Sequence, residues 1–75
     1  MPNRNNELLN KVEKFAKASE HQYISMDFQY DWIILLYENG VSIGFNDNSF
    51  VGSDGDLITD FGSFEDAEQF LRENL

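Results

Sequence analysis

The apolar run WIILLY, from Trp32 to Tyr37, constrains the fold more than any other stretch of this chain. Side chains of a strand alternate between two faces, so a run that is apolar at every position needs cover on both faces. The run therefore predicts a central strand. Asn39-Gly40 follows it and is a strong signal for a two-residue hairpin turn, because both positions need a positive φ. VSIGFN, from 41 to 46, is the predicted antiparallel partner.

A two-residue turn also predicts which side chains share a face, because strand register sets the alternation. It pairs Leu36 with Ile43 and places both on the core face. The other members of this predicted core face are Trp32, Ile34 and Phe45. The back face then carries the remaining apolar residues of the run, Ile33, Leu35 and Tyr37. Either a helix covers these three side chains, or they form an apolar interface for a homodimer or another partner.

A strand is also predicted before this hairpin, because YISMDFQY (23–30) alternates with a period of two. An odd-numbered loop at Tyr30–Asp31 would put Met26 and Phe28 on the core face. A two-residue loop would put them on the back face with Ile33 and Leu35. The odd loop is preferred, because it gives one coherent core.

Amphipathic segments bracket the strands. NELLNKVEKFAKASE (6–20) has apolar residues at helical spacing, and GSFEDAEQFLRENL (62–75) does the same after a serine N-cap, Ser63. Asp66 follows three residues later and completes a capping-box-like pair.

Two further short strands are predicted between the hairpin and the second helix, SFV (49–51) and LITDF (57–61), joined by a turn at Asp54-Gly55. The predicted fold class is α+β: an antiparallel β-meander of four to five strands flanked by an N-terminal and a C-terminal α-helix. A chain of this length has room for one hydrophobic core, so residues 1–75 are expected to form a single domain.

Charge is distributed unevenly along the chain. The net charge is −9, and residues 18–75 hold twelve carboxylates against Arg72 alone. A field of this sign repels nucleic acid, so direct binding of DNA or RNA is not expected. The N-terminal stretch has no apolar segment of the signal-peptide kind, and the longest apolar run is far shorter than the ~20 residues of a membrane-spanning helix. We therefore expect a cytoplasmic protein without membrane contact.

The stretch from Asn46 to Glu68 contains no lysine or arginine and seven carboxylates: Asp47, Asp54, Asp56, Asp60, Glu65, Asp66 and Glu68. A calcium loop of the EF-hand type would place Val51 at a ligand position if it began at Asp47, and would lack its central glycine if it began at Asp54. One histidine and no cysteine leave no ordinary transition-metal site. No nucleophile, phosphate-loop or acid–base motif is present either. We predict no metal, no cofactor, no catalytic residue and no enzymatic activity.

A surface of one sign costs self-repulsion and attracts basic surfaces. The seven carboxylates are therefore the predicted partner-binding residues, and a basic protein surface is the predicted partner. In its length, its acidity and its lack of cysteine, the chain resembles the small inhibitors encoded by phages and mobile elements, a class that includes anti-CRISPR proteins and DNA mimics. The resemblance is carried by the run from Asp47 to Glu68 and by Asp27, Asp31 and Glu38.

This resemblance implies an inhibitor that occupies the basic nucleic-acid-binding surface of a host defence or DNA-processing complex, with carboxylates in place of phosphates. Two alternatives stay open. One is a self-associating structural or accessory protein that uses the apolar back face, at Ile33, Leu35 and Tyr37. The other is an acidic surface that serves solubility alone.

Overall fold

The chain folds into an antiparallel meander sheet with a helix at each end. The computed structural model describes residues 4–75, with side chains from Glu7 onward. Its elements in chain order are α1 (Arg4–Ala18), β1 (Ser25–Gln29), β2 (Trp32–Leu36), β3 (Ser42–Phe45), β4 (Phe50–Ser53), β5 (Ile58–Asp60) and α2 (Phe64–Asn74). Each strand pairs with the next, so the order across the sheet is the order along the chain. The predicted α+β architecture is confirmed.

Both helices lie on the same face of the sheet. Helix α1 packs over β2, and helix α2 packs over β4. One continuous core results, in which aromatic rings join the layers: Phe15 of α1 lies 5.7 Å from Phe45, 5.9 Å from Phe50 and 5.3 Å from Phe64, between ring centroids. Within residues 4–75, no helix is both long enough and apolar enough to cross a membrane.

The β2–β3 connection keeps the predicted turn but contains one residue more than predicted. Asn39 and Gly40 have positive φ values of 63° and 76°. The N–H of Val41 donates to the carbonyl of Glu38 (3.2 Å), while the N–H of Tyr37 donates to the carbonyl of Val41 (2.8 Å). Two residues of one strand therefore face a single residue of the other, which is a β-bulge.

The bulge moves the register by one residue, so the predicted pairing of β2 with β3 is wrong. Leu35 pairs with Ile43 and Leu36 pairs with Ser42. Because side chains alternate with a period of two, this single step exchanges the two faces of β2. Ile33, Leu35 and Tyr37, for which the sequence left open either cover by a helix or an apolar interface, are 3%, 0% and 4% exposed, so the first alternative describes them. They are core residues, and the folded protein offers no partner access to them.

The β1–β2 loop also differs from the preferred prediction. Gln29 pairs with Trp32, which leaves the two-residue loop Tyr30–Asp31 with a positive φ of 53° at Tyr30. Met26 therefore lies opposite Leu35 and packs against the core, as the two-residue alternative places it. The face opposite the helices, here called the open face, carries the residues predicted to be core in β2, Trp32, Ile34 and Leu36.

Candidate functional site

The seven predicted carboxylates do not form one patch. They are divided among the β3–β4 loop, the β4–β5 turn, strand β5 and the first turns of helix α2. Asp54, Asp66 and Glu68 accept hydrogen bonds that hold local structure. The other four are exposed: Asp47, Asp56, Asp60 and Glu65.

Asp54 organises the β4–β5 turn. Its Oδ1 accepts hydrogen bonds from the backbone N–H groups of Leu57 and Asp56, both at 2.9 Å. These two bonds favour the ionised carboxylate, so they lower the pKa of Asp54 below its usual value, Leu57 contributing most. Gly55 supplies the positive φ of 103° that the turn needs. A turn forms where one was predicted, but one residue further along: Asp54 lies opposite Leu57, so Gly55 and Asp56 are its two central residues.

Asp66 belongs to the cap of helix α2. The N–H of Asp66 donates to Ser63 Oγ (3.2 Å), and Asp66 Oδ2 accepts from the N–H of Gly62 (3.1 Å). Two N–H groups at the start of the helix are satisfied in this way. The bond to Ser63 is the one that the capping-box-like pattern predicts, whereas the Asp66 side chain accepts from Gly62 instead of the N-cap residue.

Glu68 fastens helix α2 to the end of helix α1. Its Oε2 accepts from Ser19 Oγ (2.7 Å), its Oε1 accepts from the N–H of Glu20 (2.8 Å), and His21 Nδ1 lies 3.3 Å from Oε1. Burial pushes the pKa of Glu68 upward, but the two hydrogen bonds and His21 outweigh burial, and the pKa lies below its usual value. Glu68 therefore has a structural role, and its side chain is only 15% exposed.

Asp56, Asp60 and Glu65 have no such role. Their carboxylates are exposed and make no hydrogen bond or ion pair with residues 7–75. Each therefore keeps its full capacity for charged contacts with another molecule.

A groove between strand β5 and helix α2 brings several of the carboxylates together. It has a volume of about 410 Å³. Its lining residues are Asp54, Leu57, Thr59, Asp60, Phe61, Asp66, Gln69, Phe70, Glu73 and Asn74. Four of these residues are acidic, and none of the described residues in the lining is a lysine or an arginine. Strand alternation directs the side chain of Asp60 to the open face, so Asp60 borders the groove at the edge of the sheet. We call this feature the acidic groove.

Glu73 is the carboxylate of the acidic groove that the sequence analysis missed. It lies outside the stretch from 46 to 68 that attracted attention by its composition. Helical spacing could have grouped Glu73 with Asp66 from the sequence. Asp66, Phe70 and Glu73 follow one another at intervals of four and three residues and therefore share one face of α2.

The floor of the acidic groove is aromatic. The rings of Phe61 and Phe70 lie 5.3 Å apart, and Phe61 also contacts Phe50 of the core at 5.2 Å. Both rings lie over Gly52 of β4, where a Cβ atom would come within 2.5 Å of Phe61 Cζ and 2.9 Å of Phe70 Cε2. The absence of a side chain at Gly52 therefore lets these rings pack down onto the sheet.

The described cations lie away from the acidic groove. Arg72 projects from α2 towards α1, where its Nη2 lies 3.5 Å from Glu20 Oε1. Lys11 Nζ lies 5.6 Å from the centre of the Phe50 ring. Lys17 lines a different cleft, of about 570 Å³, between α1 and the β1 side of the sheet, where Glu13 accompanies it. The two clefts that flank the helical layer thus differ in charge.

The open face of the sheet is a second unusual surface. Trp32 lies across Gly44, where a Cβ atom would be 3.2 Å from its ring, and Leu36 is 39% exposed. A shallow depression of about 170 Å³ runs beside them, with Ile34, Val51 and Ile58 in its lining. Apolar side chains thus remain partly accessible on the face that no helix covers.

Within residues 4–75, no group of three or more histidine, cysteine, aspartate or glutamate side chains is arranged to hold a metal ion. Comparison of the chain with protein-family models, with curated proteins and with solved structures returned no match. Function is therefore inferred from the geometry of the surface.

Proposed function

We propose that this protein is a non-enzymatic binding protein that inhibits a nucleic-acid-handling complex by covering a basic surface of it. The chain resembles anti-CRISPR and DNA-mimic inhibitors in composition, and we infer the same mode of action for it. One observation carries the proposal: the acidic groove collects four carboxylates, Asp54, Asp60, Asp66 and Glu73, without a lysine or arginine among its described lining residues.

The physical support is the cost of this arrangement to the isolated protein. Surfaces of soluble domains usually mix both signs of charge, which avoids self-repulsion. Here the net charge is −9, and Arg72 points towards α1 rather than into the acidic groove. A basic partner relieves the repulsion and is drawn in by the same field. Phosphates of a nucleic acid would be repelled by it, so the natural counterpart is a surface that itself binds phosphates.

Catalysis is a weaker interpretation of the acidic groove. Two of its four carboxylates, Asp54 and Asp66, already accept backbone N–H groups and serve the turn and the helix cap. Its described lining contains no histidine, so no base–nucleophile pair of the usual kind is placed there.

The first experiment is capture of a partner from nuclease-treated bacterial lysate on the immobilised protein, with elution in salt steps. The second is a triple charge reversal at the acidic groove and the turn beside it, Asp56→Lys, Asp60→Lys and Glu73→Lys, which leaves the structural carboxylates Asp54 and Asp66 unchanged. A matched control makes the same change in net charge on α1 and the β1–β2 loop, with Glu7→Lys, Glu13→Lys and Asp31→Lys. Thermal melts establish that both variants fold.

We expect a basic nucleic-acid-binding protein to elute at moderate salt. The triple reversal should weaken its binding about 100-fold at low salt, and the control variant should weaken it much less. The difference should shrink at high salt, because the screening length falls from about 8–10 Å at 0.1–0.15 M salt to about 3 Å at 1 M. Equal affinities for the wild type and the triple reversal would refute the proposal.

A second candidate function is self-association through the open face. The observation in its favour is the partly exposed apolar surface at Trp32, Ile34 and Leu36. These residues take the place of Ile33, Leu35 and Tyr37, which the sequence offered as a possible interface and which are buried. One feature opposes self-association. Asp27 and Asp60 lie at the two ends of the cross-strand row through Ile34, so two stacked copies would bring like charges together. A salt-insensitive homodimer in sedimentation, disrupted by Leu36→Glu, would favour this function over the first.

A further inference from the structure

We propose that the outer edge of strand β5 and the acidic groove beside it receive an extended, basic and apolar segment of the partner as a sixth strand of the sheet. This inference rests on the proposed function and specifies its binding mode. At this place the sheet has an open row of backbone hydrogen-bonding groups, and the acidic groove with its aromatic floor lies beside that row.

The backbone of β5 has hydrogen-bonding groups that point to the outer edge of the sheet. The N–H of Phe61 donates to the carbonyl of Phe50 (2.7 Å), and the N–H of Asp54 donates to the carbonyl of Leu57 (3.4 Å). Hydrogen-bonding direction alternates along an antiparallel strand. Leu57, Thr59 and Phe61 therefore bond towards β4. Ile58 and Asp60 direct their N–H and C=O groups to the outer edge, and their Cα atoms lie about 7 Å apart along the strand.

The sheet has two edges, at β5 and at β1, and the β5 edge suits a basic segment better. All three residues of β5 are exposed, and Leu57 and Ile58 reach 71% and 75% exposure, although both are large and apolar. The β5 edge is short, at three residues, but it has no lysine, proline or bulge, and its one charge, Asp60, opposes a second acidic edge while it attracts a basic segment. The β1 edge borders the cleft that contains both Lys17 and Glu13, whose charges offset each other, so this edge attracts a basic segment less than the acidic groove does.

Charge selects the occupant of the β5 edge. Two copies of this edge would bring Asp60 and the groove carboxylates of one chain against those of the other, and this repulsion disfavours pairing between copies. A basic segment meets the opposite situation. Its side chains on the helix side would contact Phe61 and Phe70, with Asp66 and Glu73 within reach of cations, and those on the other side would meet Ile58 and Asp60.

The test uses the full-length protein and a synthetic peptide, acetyl-Lys-Val-Lys-Val-Arg-Val-Lys-Val-amide. Controls are a peptide with glutamate in place of every cation and a peptide of unchanged composition with its cations in one block. Binding is followed by amide chemical shifts and by hydrogen exchange. Two variants are compared: Ile58→Pro removes one outward N–H without changing charge, and Ile58→Ala shortens the same side chain but keeps the N–H.

We expect the alternating peptide to bind, to slow exchange at the amides of Ile58 and Asp60, and to bind Ile58→Pro about tenfold more weakly than Ile58→Ala. The glutamate peptide should not bind, and the block peptide should bind more weakly. Unchanged exchange at Ile58 and Asp60, or shift changes centred on Trp32, would refute strand addition. The exchange measurement decides the matter on wild-type protein, even if Ile58→Pro does not fold.

Failure of this inference is distinguishable from failure of the proposed function. A captured partner that is released by the triple charge reversal, but binds Ile58→Pro as tightly as Ile58→Ala, would retain the proposed function and refute strand addition. A partner that is indifferent to the triple reversal would refute the proposed function itself.

Discussion

Truncation of two adjacent leucines tests which face of β2 lies inside. Leu35 is fully buried against α1 and the core and pairs with Ile43, while Leu36 is 39% exposed on the open face and pairs with Ser42. Leu35→Ala leaves a cavity in the core and should cost about 3 kcal/mol of the free energy of unfolding. Leu36→Ala removes only part-buried surface and should cost about 1 kcal/mol.

These losses are large against the total stability of a domain this small, which is on the order of 4–11 kcal/mol. Urea denaturation followed by far-UV circular dichroism measures both variants, and an unchanged m-value shows that the unfolded state is comparable. In thermal melts, Leu35→Ala should lower Tm by roughly 12–24 °C and Leu36→Ala by roughly 4–8 °C. The two variants have the same amino-acid composition and differ only in which of two adjacent residues of β2 is shortened, so each serves as the control for the other.

The reverse order would refute the assignment of the faces. If Leu36→Ala cost more than Leu35→Ala, the bulge at Glu38 would be absent, and the hairpin would have the two-residue pairing that the Asn39-Gly40 signal alone predicts.

Three further predictions concern single positions. Gly52→Ala should lower the free energy of unfolding by about 1–3 kcal/mol in urea denaturation, because its Cβ would press against Phe61. The control Gly44→Ala on the open face should cost less. Equal costs would contradict the tight packing beneath the acidic groove. Glu68→Gln should flatten the loss of Tm in acid. The folded-state pKa of Glu68 lies below its ordinary value, so the wild-type carboxylate stabilises the fold above the unfolded-state pKa, and this contribution disappears as pH falls through the folded-state pKa. Parallel pH profiles of the wild type and the variant would contradict this. Tyr37→Phe should leave Tm unchanged or raise it, because the buried hydroxyl has no hydrogen-bond partner among residues 7–75; a lower Tm would show that the hydroxyl is satisfied.

The placement of the carboxylates changes how the acidity of this chain is interpreted. Counting charges treats all seven residues of the 46–68 stretch alike, but Asp54, Asp66 and Glu68 each satisfy backbone or side-chain donors of the fold. Their role is partly structural, so substituting them would confuse loss of binding with loss of stability. Asp56 and Asp60 offer the cleaner test of a charged interface, because no hydrogen bond or ion pair joins their carboxylates to residues 7–75.

The sequence by itself determined the elements and their order. Local chemistry specifies these features: alternation marks the strands, Ser63 and Asp66 cap α2, and Asp54 and Gly55 make the β4–β5 turn. In each case the interacting groups lie within a few residues of one another, so short-range propensity is sufficient. A meander of consecutive antiparallel strands then follows, because short loops leave few other topologies.

The tertiary structure alone decided which face lies inside and where the acidic groove forms. WIILLY is apolar on both sides, so its pattern is satisfied by either register, and one bulged residue, Glu38, selects between them. Packing of both helices against the Leu35 face buries that side and leaves Trp32 on the other. The acidic groove likewise exists only because α2 lies over β4 and leaves β5 uncovered, a juxtaposition of distant segments that no local pattern encodes.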